Sequence, residues 1–264
     1  MTLCVTWKDL RGLNMASDSR LTFGLDTRLD IGIKLLRMPC RVYGPWERDR
    51  RDLLSEIDVA MLVAGSHVTS TVTKESLEEV LKALQAIPGQ TRISFDKVAK
   101  VCFQAYRQIS TKVCDAFLGP RGIAGVQLAG FCPEQRRLRV FEFSTDTNAN
   151  EHACEEILEQ AIGFRFMGSG RRAAERHIRD SGCTAFQALQ RVIDSKEEAG
   201  VGGPIQYGLF VGQEFRIYLQ SELENGKVRY PRGGLDLNES AFSDEADDLF
   251  LSVSMLEQGK VLEP

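Results

Sequence analysis

Apolar residues fall into two kinds of spacing along this chain, and the two kinds come in blocks. Residues 2–7 (TLCVTW) and 13–19 (LNMASDS) predict two strands around the turn KDLRG. Residues 31–43 (IGIKLLRMPCRVY) predict two more, with Pro39 interrupting a strand or marking its end. DVAMLVAG (58–65) is a nearly continuous apolar run, the pattern of a strand buried on both faces. From Ser66 the spacing turns helical. Leu77, Val80, Leu81 and Leu84 define a helix that stops before Pro88-Gly89. Phe95, Val98, Ala99, Cys102, Tyr106, Ile109 and Val113 define a longer one. GVQLAGF (125–131) and LRVFEFS (138–144) predict a hairpin across the charged turn PEQRR. FRFMGSG (164–170) is a strand that stops at glycine, RRAAERHI and TAFQALQRVIDSKEEAG are helices, and PIQYGLF and EFRIYL are a closing strand pair. Beyond about residue 239 the chain is acidic, with one apolar patch, LFLSVSML, that reads as a docking helix.

Strands in blocks and helices in blocks predict an α+β fold with antiparallel sheets and segregated helix layers, rather than alternating βαβ units. No repeat or linker stands out, so residues 1–264 read as one domain.

Composition narrows the partners. At 264 residues the chain is long enough for a sizeable core, and 43% hydrophobic with 27% charged is an ordinary globular balance. A net charge of −4 argues against a nucleic-acid partner held by phosphate contacts. ERDRR (47–51) mixes signs and reads as solvated surface. Seven cysteines, an odd number with no CxxC and several in apolar runs, read as reduced thiols of a cytoplasmic protein. Three histidines without paired-ligand spacing imply no zinc site, and nothing calls for a cofactor. There is no signal-peptide pattern and no run of about eighteen apolar residues, so no membrane association is expected.

The candidate chemistry begins at Thr2. An initiator Met before so small a residue is normally trimmed, which would leave a hydroxyl and a free amine on one residue. An α-amine titrates at roughly 7.7–8.0, so part of it is neutral near pH 7 and able to take the hydroxyl proton through one water. Alone this says little, since every chain has a second residue. Asp18 lies sixteen residues after Thr2, and Lys34 sixteen after Asp18. Lys34 interrupts an apolar stretch, so it either faces solvent or finds a partner inside. Paired with Asp18 beside Thr2, it would favour the neutral amine, because like charges repel.

In this order and spacing, the motifs resemble a proteasome β-type subunit of the N-terminal nucleophile (Ntn) hydrolase superfamily, in its bacterial proteasome-like branch, over most of residues 2–218. TLCVTWKDLRGLNMASDSRLT resembles the family's first hairpin, VAGS (63–66) its strand-to-helix turn, VQLAGFCPEQRRLRVFEFST its central hairpin, and MGSG (167–170) its turn before a helix. The resemblance implies a four-layer αββα sandwich. It implies Thr2 as nucleophile, Asp18 and Lys34 as the charge pair, Arg20 as the arginine that follows, Gly65 as the oxyanion amide and Ser169 as a supporting hydroxyl. It places Leu21, Thr22, Leu36, Val63, His67 and Thr71 at the substrate, with the backbone of Thr22 and His67 holding an extended peptide as an added strand. His67 reads equally well as a surface residue at a helix start. The family assembles into rings or stacks of like chains, for which residues 95–117 and 45–57 are candidate contact surfaces. An ATPase partner is compatible with it, though no sequence feature points to one.

The chain also departs from the family. In GVGG (200–203), Val201 stands where the family has a serine, and Glu198 lies near the position of its aspartate. The segment between Lys34 and Gly65 and the tail past about 220 are longer than usual. The resulting expectation is a threonine-type peptidase acting on peptide or protein. The alternatives are an amidase for a small amide and a non-catalytic scaffold subunit.

Overall fold

The computed structural model describes residues 2–23, 27–46, 50–90, 92–146, 151–159, 162–224, 227–237 and 254–256. Part of ERDRR and of the 45–57 segment, and most of the acidic tail, therefore lie outside the described residues.

Two six-stranded sheets carry the fold. In the first, Gly163–Met167, Cys4–Asp9, Gly12–Ser17, Gln206–Val211, Glu214–Gln220 and Ser254–Leu256 lie side by side in that order. In the second the order is Glu151–Ile157, Arg137–Asp146, Ala124–Cys132, Leu53–Gly65, Leu35–Tyr43 and Leu84–Gln85. Pairing is antiparallel except where Ser254–Leu256 and Leu84–Gln85 add parallel edges.

Among the described residues four α-helices accompany the sheets: α1 (His67–Lys82), α2 (Phe95–Val113), α3 (Arg171–Ser181) and α4 (Ala185–Ser195). Each end has a local cause. Ser66 caps α1 by accepting from the amide of Thr69. Thr184 and Gln187 close a reciprocal capping box on α4. Gly182, left-handed at φ +64°, ends α3.

The apolar residues gather in three clusters. Leu77, Leu81, Val98, Cys102 and Tyr106 of α1 and α2 pack on Met61, Val126 and Phe143 of the second sheet. Ala173, Ala174, Phe186, Leu189 and Val192 of α3 and α4 pack on Leu3, Val5, Phe166 and Tyr207 of the first. The third cluster draws on both sheets, with Leu13, Met15, Phe210 and Phe215 against Leu35, Leu62 and Ala129. DVAMLVAG is thus covered on both faces, as a continuous apolar run requires.

Four local readings change. Leu84 falls outside α1, which ends at Lys82, and opens the short strand Leu84–Gln85. Residues 31–43 give one strand, Leu35–Tyr43, with Pro39 inside it opposite Asp58. Among the described residues its outer edge is paired only at Val42 and Tyr43, so Pro39 needs no ladder donor there. Glu151–Ile157 is a further strand whose polar sequence hides it; it is an edge strand, and Glu156 holds Arg139 of its neighbour. In LFLSVSML, Ser254–Leu256 is a strand parallel to Tyr218–Gln220 rather than part of a helix, and residues 249–253 lie outside the described residues.

Candidate active site

The first hairpin explains the spacing of Thr2 and Asp18. Its register sets Cys4 opposite Ser17, so Leu3 and Asp18 face each other just beyond the ladder. The Asp18 amide donates to the Leu3 carbonyl at 3.1 Å, and the Leu3 amide donates to Asp18 Oδ1 at 3.0 Å. Thr2 is thereby fixed one residue from a buried carboxylate.

Lys34 arrives from the other sheet, at the mouth of Leu35–Tyr43. Its backbone is held on both sides. The amides of Lys34 and Leu35 both donate to Gln206 Oε1, at 2.9 and 3.0 Å, and the Lys34 carbonyl accepts from Val63 at 3.0 Å. Its ammonium donates to Asp18 Oδ1 at 2.8 Å, with the two side chains 5% and 0% exposed. A buried ion pair repays its desolvation only when the remaining lone pairs are also filled. Here they are: Asp18 Oδ2 accepts from the amides of Arg20 at 3.2 Å and Gly202 at 3.1 Å.

Ser169 approaches Thr2 from the turn before α3. The Thr2 nitrogen donates to Ser169 Oγ at 3.2 Å, and the Gly170 amide donates to the Thr2 carbonyl at 3.3 Å. Gly65, at φ +102°, ends the strand Leu53–Gly65 and is exposed; a Cβ there would lie 2.5 Å from the Ile123 carbonyl oxygen.

Of these residues Thr2, Lys34 and Gly65 line a cleft of about 60 Å³, while Asp18 and Ser169 support it from behind through Lys34 and Thr2. Thr2, Lys34, Gly65, Leu21, Thr22, Val63 and His67 line it, all of them candidates from the sequence. Leu36 and Thr71 do not. Leu36 packs against the cluster beneath α1 and α2, and the Thr71 hydroxyl is buried with no hydrogen-bond partner among the described residues. Ser70 and Lys74 also line the cleft and were not anticipated. His67, Ser70 and Lys74 are spaced three and four apart, so one face of α1 presents all three. That spacing was the available signal.

The loop at GVGG serves the site through its backbone. Besides the Gly202 amide, the Val201 carbonyl accepts from Arg20 Nη1 at 3.3 Å, while the Ser19 amide donates to Gly202 O at 3.1 Å. The Arg20 guanidinium lies against Gly202, where any Cβ would collide with it, and makes a two-pronged pair with Asp30 at 2.8 and 2.9 Å. The Val201 side chain is fully buried and packs toward Gly170 and Leu3. The Glu198 carbonyl accepts from the Val201 amide at 2.9 Å, and its carboxylate makes no hydrogen bond among the described residues.

Burial and charge tune the neighbours. Burial, then the nearby cations Lys74 and Lys34, lower the His67 pKa from its ordinary value. Burial lowers that of Lys74 as well, against the opposing field of Glu75. Burial pushes the Cys4 thiol far up, so the thiol nearest Thr2 in sequence is a poor nucleophile. Among the described residues no acidic or thiol cluster could hold a metal ion, and no helix is long and apolar enough to cross a membrane.

No family model matches the sequence, and no curated protein does. Solved structures do match in shape. Anbu from Hyphomicrobium sp. strain MC1 superposes with a TM-score of 0.55 at 16% identity, covering 81% of this chain and 86% of that one. Anbu from Yersinia bercovieri, described as an ancestral beta-subunit, gives 0.52 at 17% identity over 78% and 80%. The helical assembly of the Anbu complex from Pseudomonas aeruginosa gives 0.54 at 16% identity over 82% and 85%. The fold is that of the Anbu proteins. At such identity a likeness carries the fold and nothing finer, so the membership read from the sequence is corrected. The chain has a proteasome-related fold, and its assignment to the bacterial proteasome-like branch of the Ntn hydrolases does not stand.

Proposed function

We propose that the chain is a cytoplasmic subunit of a proteasome-like assembly of its own copies, and that Thr2 in that assembly is an amide-hydrolysing nucleophile. The fold supports the first part: one neighbour of like shape is a helical assembly and another is described as a beta-subunit. The three apolar clusters support reading the two sheets and two helix pairs as a four-layer sandwich.

The chemistry is carried by one observation, the buried Lys34–Asp18 pair whose lysine lines the same cleft as Thr2. With Met1 removed, Thr2 Oγ attacks the amide carbonyl while the Thr2 amine accepts the hydroxyl proton through a water and passes it to the leaving nitrogen. The C–N bond breaks and an ester forms on Thr2. A water then cleaves that ester, releasing the acid and restoring the hydroxyl. The Gly65 amide would meet the oxyanion, a contribution of roughly 3–4 kcal/mol for one donor. Ser169 would steady the amine, and Asp18 would orient Lys34.

Val201 favours a second reading, a non-catalytic subunit of the same assembly, because its side chain gives the site packing in place of a hydroxyl. One experiment separates the two. Intact mass spectrometry after treatment with a β-lactone should show Met1 lost and a single adduct on Thr2, absent from Thr2→Ala. A processed protein of assembly size by light scattering that takes no adduct is the non-catalytic subunit.

A further inference from the structure

The cleft beside Thr2 has an unbalanced charge. Among the described residues its lining holds four basic ones, Arg20, Lys34, His67 and Lys74, and no acidic one. Two of the four are already matched: Lys34 is spent on Asp18 and Arg20 on Asp30. Asp18 has no capacity left, since both its oxygens each accept two hydrogen bonds. Lys74 is different. It is half-buried and donates to the Ile33 carbonyl at 3.1 Å, yet forms no ion pair among the described residues. An ammonium has three donors, so this one retains capacity. His67 stands one face-repeat away on α1, its ring nearly perpendicular to that of Phe23 with centroids 6.0 Å apart. The first turn of α1 adds the positive end of a 16-residue helix.

Among the described residues no carboxylate pairs with this half-buried cation, Glu75 acting on it only through its field, and a cation so placed facing a cleft is completed by an anion from outside. We propose that the cleft receives an acidic side chain, glutamate or aspartate, from the residue whose carbonyl Thr2 attacks, with Lys74 as the residue that selects it. This rests on the hydrolase reading above and adds a substrate class to it. Lys74 makes a charge-assisted hydrogen bond to the carboxylate, and the same cation repels a lysine or arginine placed there. His67 adds a second donor on the same side.

The test uses the full chain and separates selection from turnover. Equilibrium binding of acetyl-Ala-Ala-Glu-amide to the Thr2→Ala protein should be about tenfold or more tighter than binding of the Gln analogue, the range of one hydrogen bond to a charged group. Lys74→Met should erase the difference. Lys74→Gln, which keeps a donor for Ile33, should erase it too, with folding checked by thermal melting; Lys74→Arg should keep it. On the processed wild-type protein, the Glu anilide should be cleaved in preference to the Leu and Lys anilides. Equal binding of the Glu and Gln peptides, tighter binding of the Lys peptide, or no binding of any of them overturns the proposal. Selective binding without cleavage or β-lactone labelling overturns the hydrolase reading and leaves the acidic cleft standing.

Discussion

Gly168 lies against Thr2 so closely that a Cβ on it would fall on the Thr2 carbonyl, well inside contact distance. The backbone there is also left-handed, at φ +100°. Both facts follow from the turn that brings Ser169 to the Thr2 nitrogen. Gly168→Ala should therefore displace the N-terminus as well as strain the turn, costing about 2 kcal/mol or more. Gly212 is the control: its φ is +65° but a Cβ there meets nothing within 4 Å. Gly212→Ala should cost only about 1 kcal/mol. Urea unfolding gives both values, and β-lactone labelling of Thr2 should fall in the first variant alone.

The ion pair of Lys34 and Asp18 makes a second prediction. Removing one partner leaves a buried charge unmatched, so Lys34→Met or Asp18→Asn should each cost about 3–5 kcal/mol. The double variant should cost clearly less than the sum, because no charge remains to desolvate. All three should lose labelling at Thr2. A double-mutant cycle by urea unfolding measures the coupling, and additive costs would mean that the pair contributes nothing as a pair.

Arg139 predicts how the fold meets acid. It bridges Asp96 of α2, at 2.9 Å, and Glu156 of the edge strand, at 2.5 Å. A hydrogen bond from Ser94 and then the Arg139 charge hold Asp96 below its ordinary 3.8. Burial raises Glu156, but the hydrogen bonds and charges of Arg139 and Arg137 outweigh it and hold it below 4.5. Both carboxyls have depressed folded values, so their contribution is complete above the ordinary values and is lost as pH falls through the depressed ones. Wild-type stability should therefore fall below about pH 4.5, and Arg139→Gln, less stable at pH 7, should fall more gently. Thermal melts from pH 3 to 7 check this.

Much of this was legible beforehand because the signals are local. The helical spacing of Phe95 through Val113 gave α2 within its observed bounds. The continuous apolar run before Gly65 gave a doubly covered strand. Spacing alone reached the site only where it maps onto a hairpin, as for Thr2 and Asp18; Gly65, Val63 and His67 were reached through the family resemblance. Lys34 reaches Asp18 across two sheets, and from the residues alone an outward-facing lysine was the favoured reading. Glu151–Ile157 was hidden because an edge strand need not alternate. Lys74 was hidden because a lone charge on a helix reads as solvated until a cleft is seen beside it.

The labelling experiments depend on Thr2 being the reactive group, and Cys4 lies two residues away. Its thiol is fully buried, donates to the Val63 carbonyl at 3.4 Å, and is pushed well above its ordinary value by burial. Cys40 and Cys102 are also buried and raised, Cys40 to about 12. Cys114 and Cys183 are only partly buried. An electrophile that needs a thiolate should thus reach the last two and spare the first three. Iodoacetamide on the native protein, read by peptide mass spectrometry, should modify Cys114 and Cys183 and leave Cys4 untouched until urea is added. Native modification of Cys4 would mean that the first strand opens in solution, and an adduct near the N-terminus could then no longer be assigned to Thr2 by mass alone.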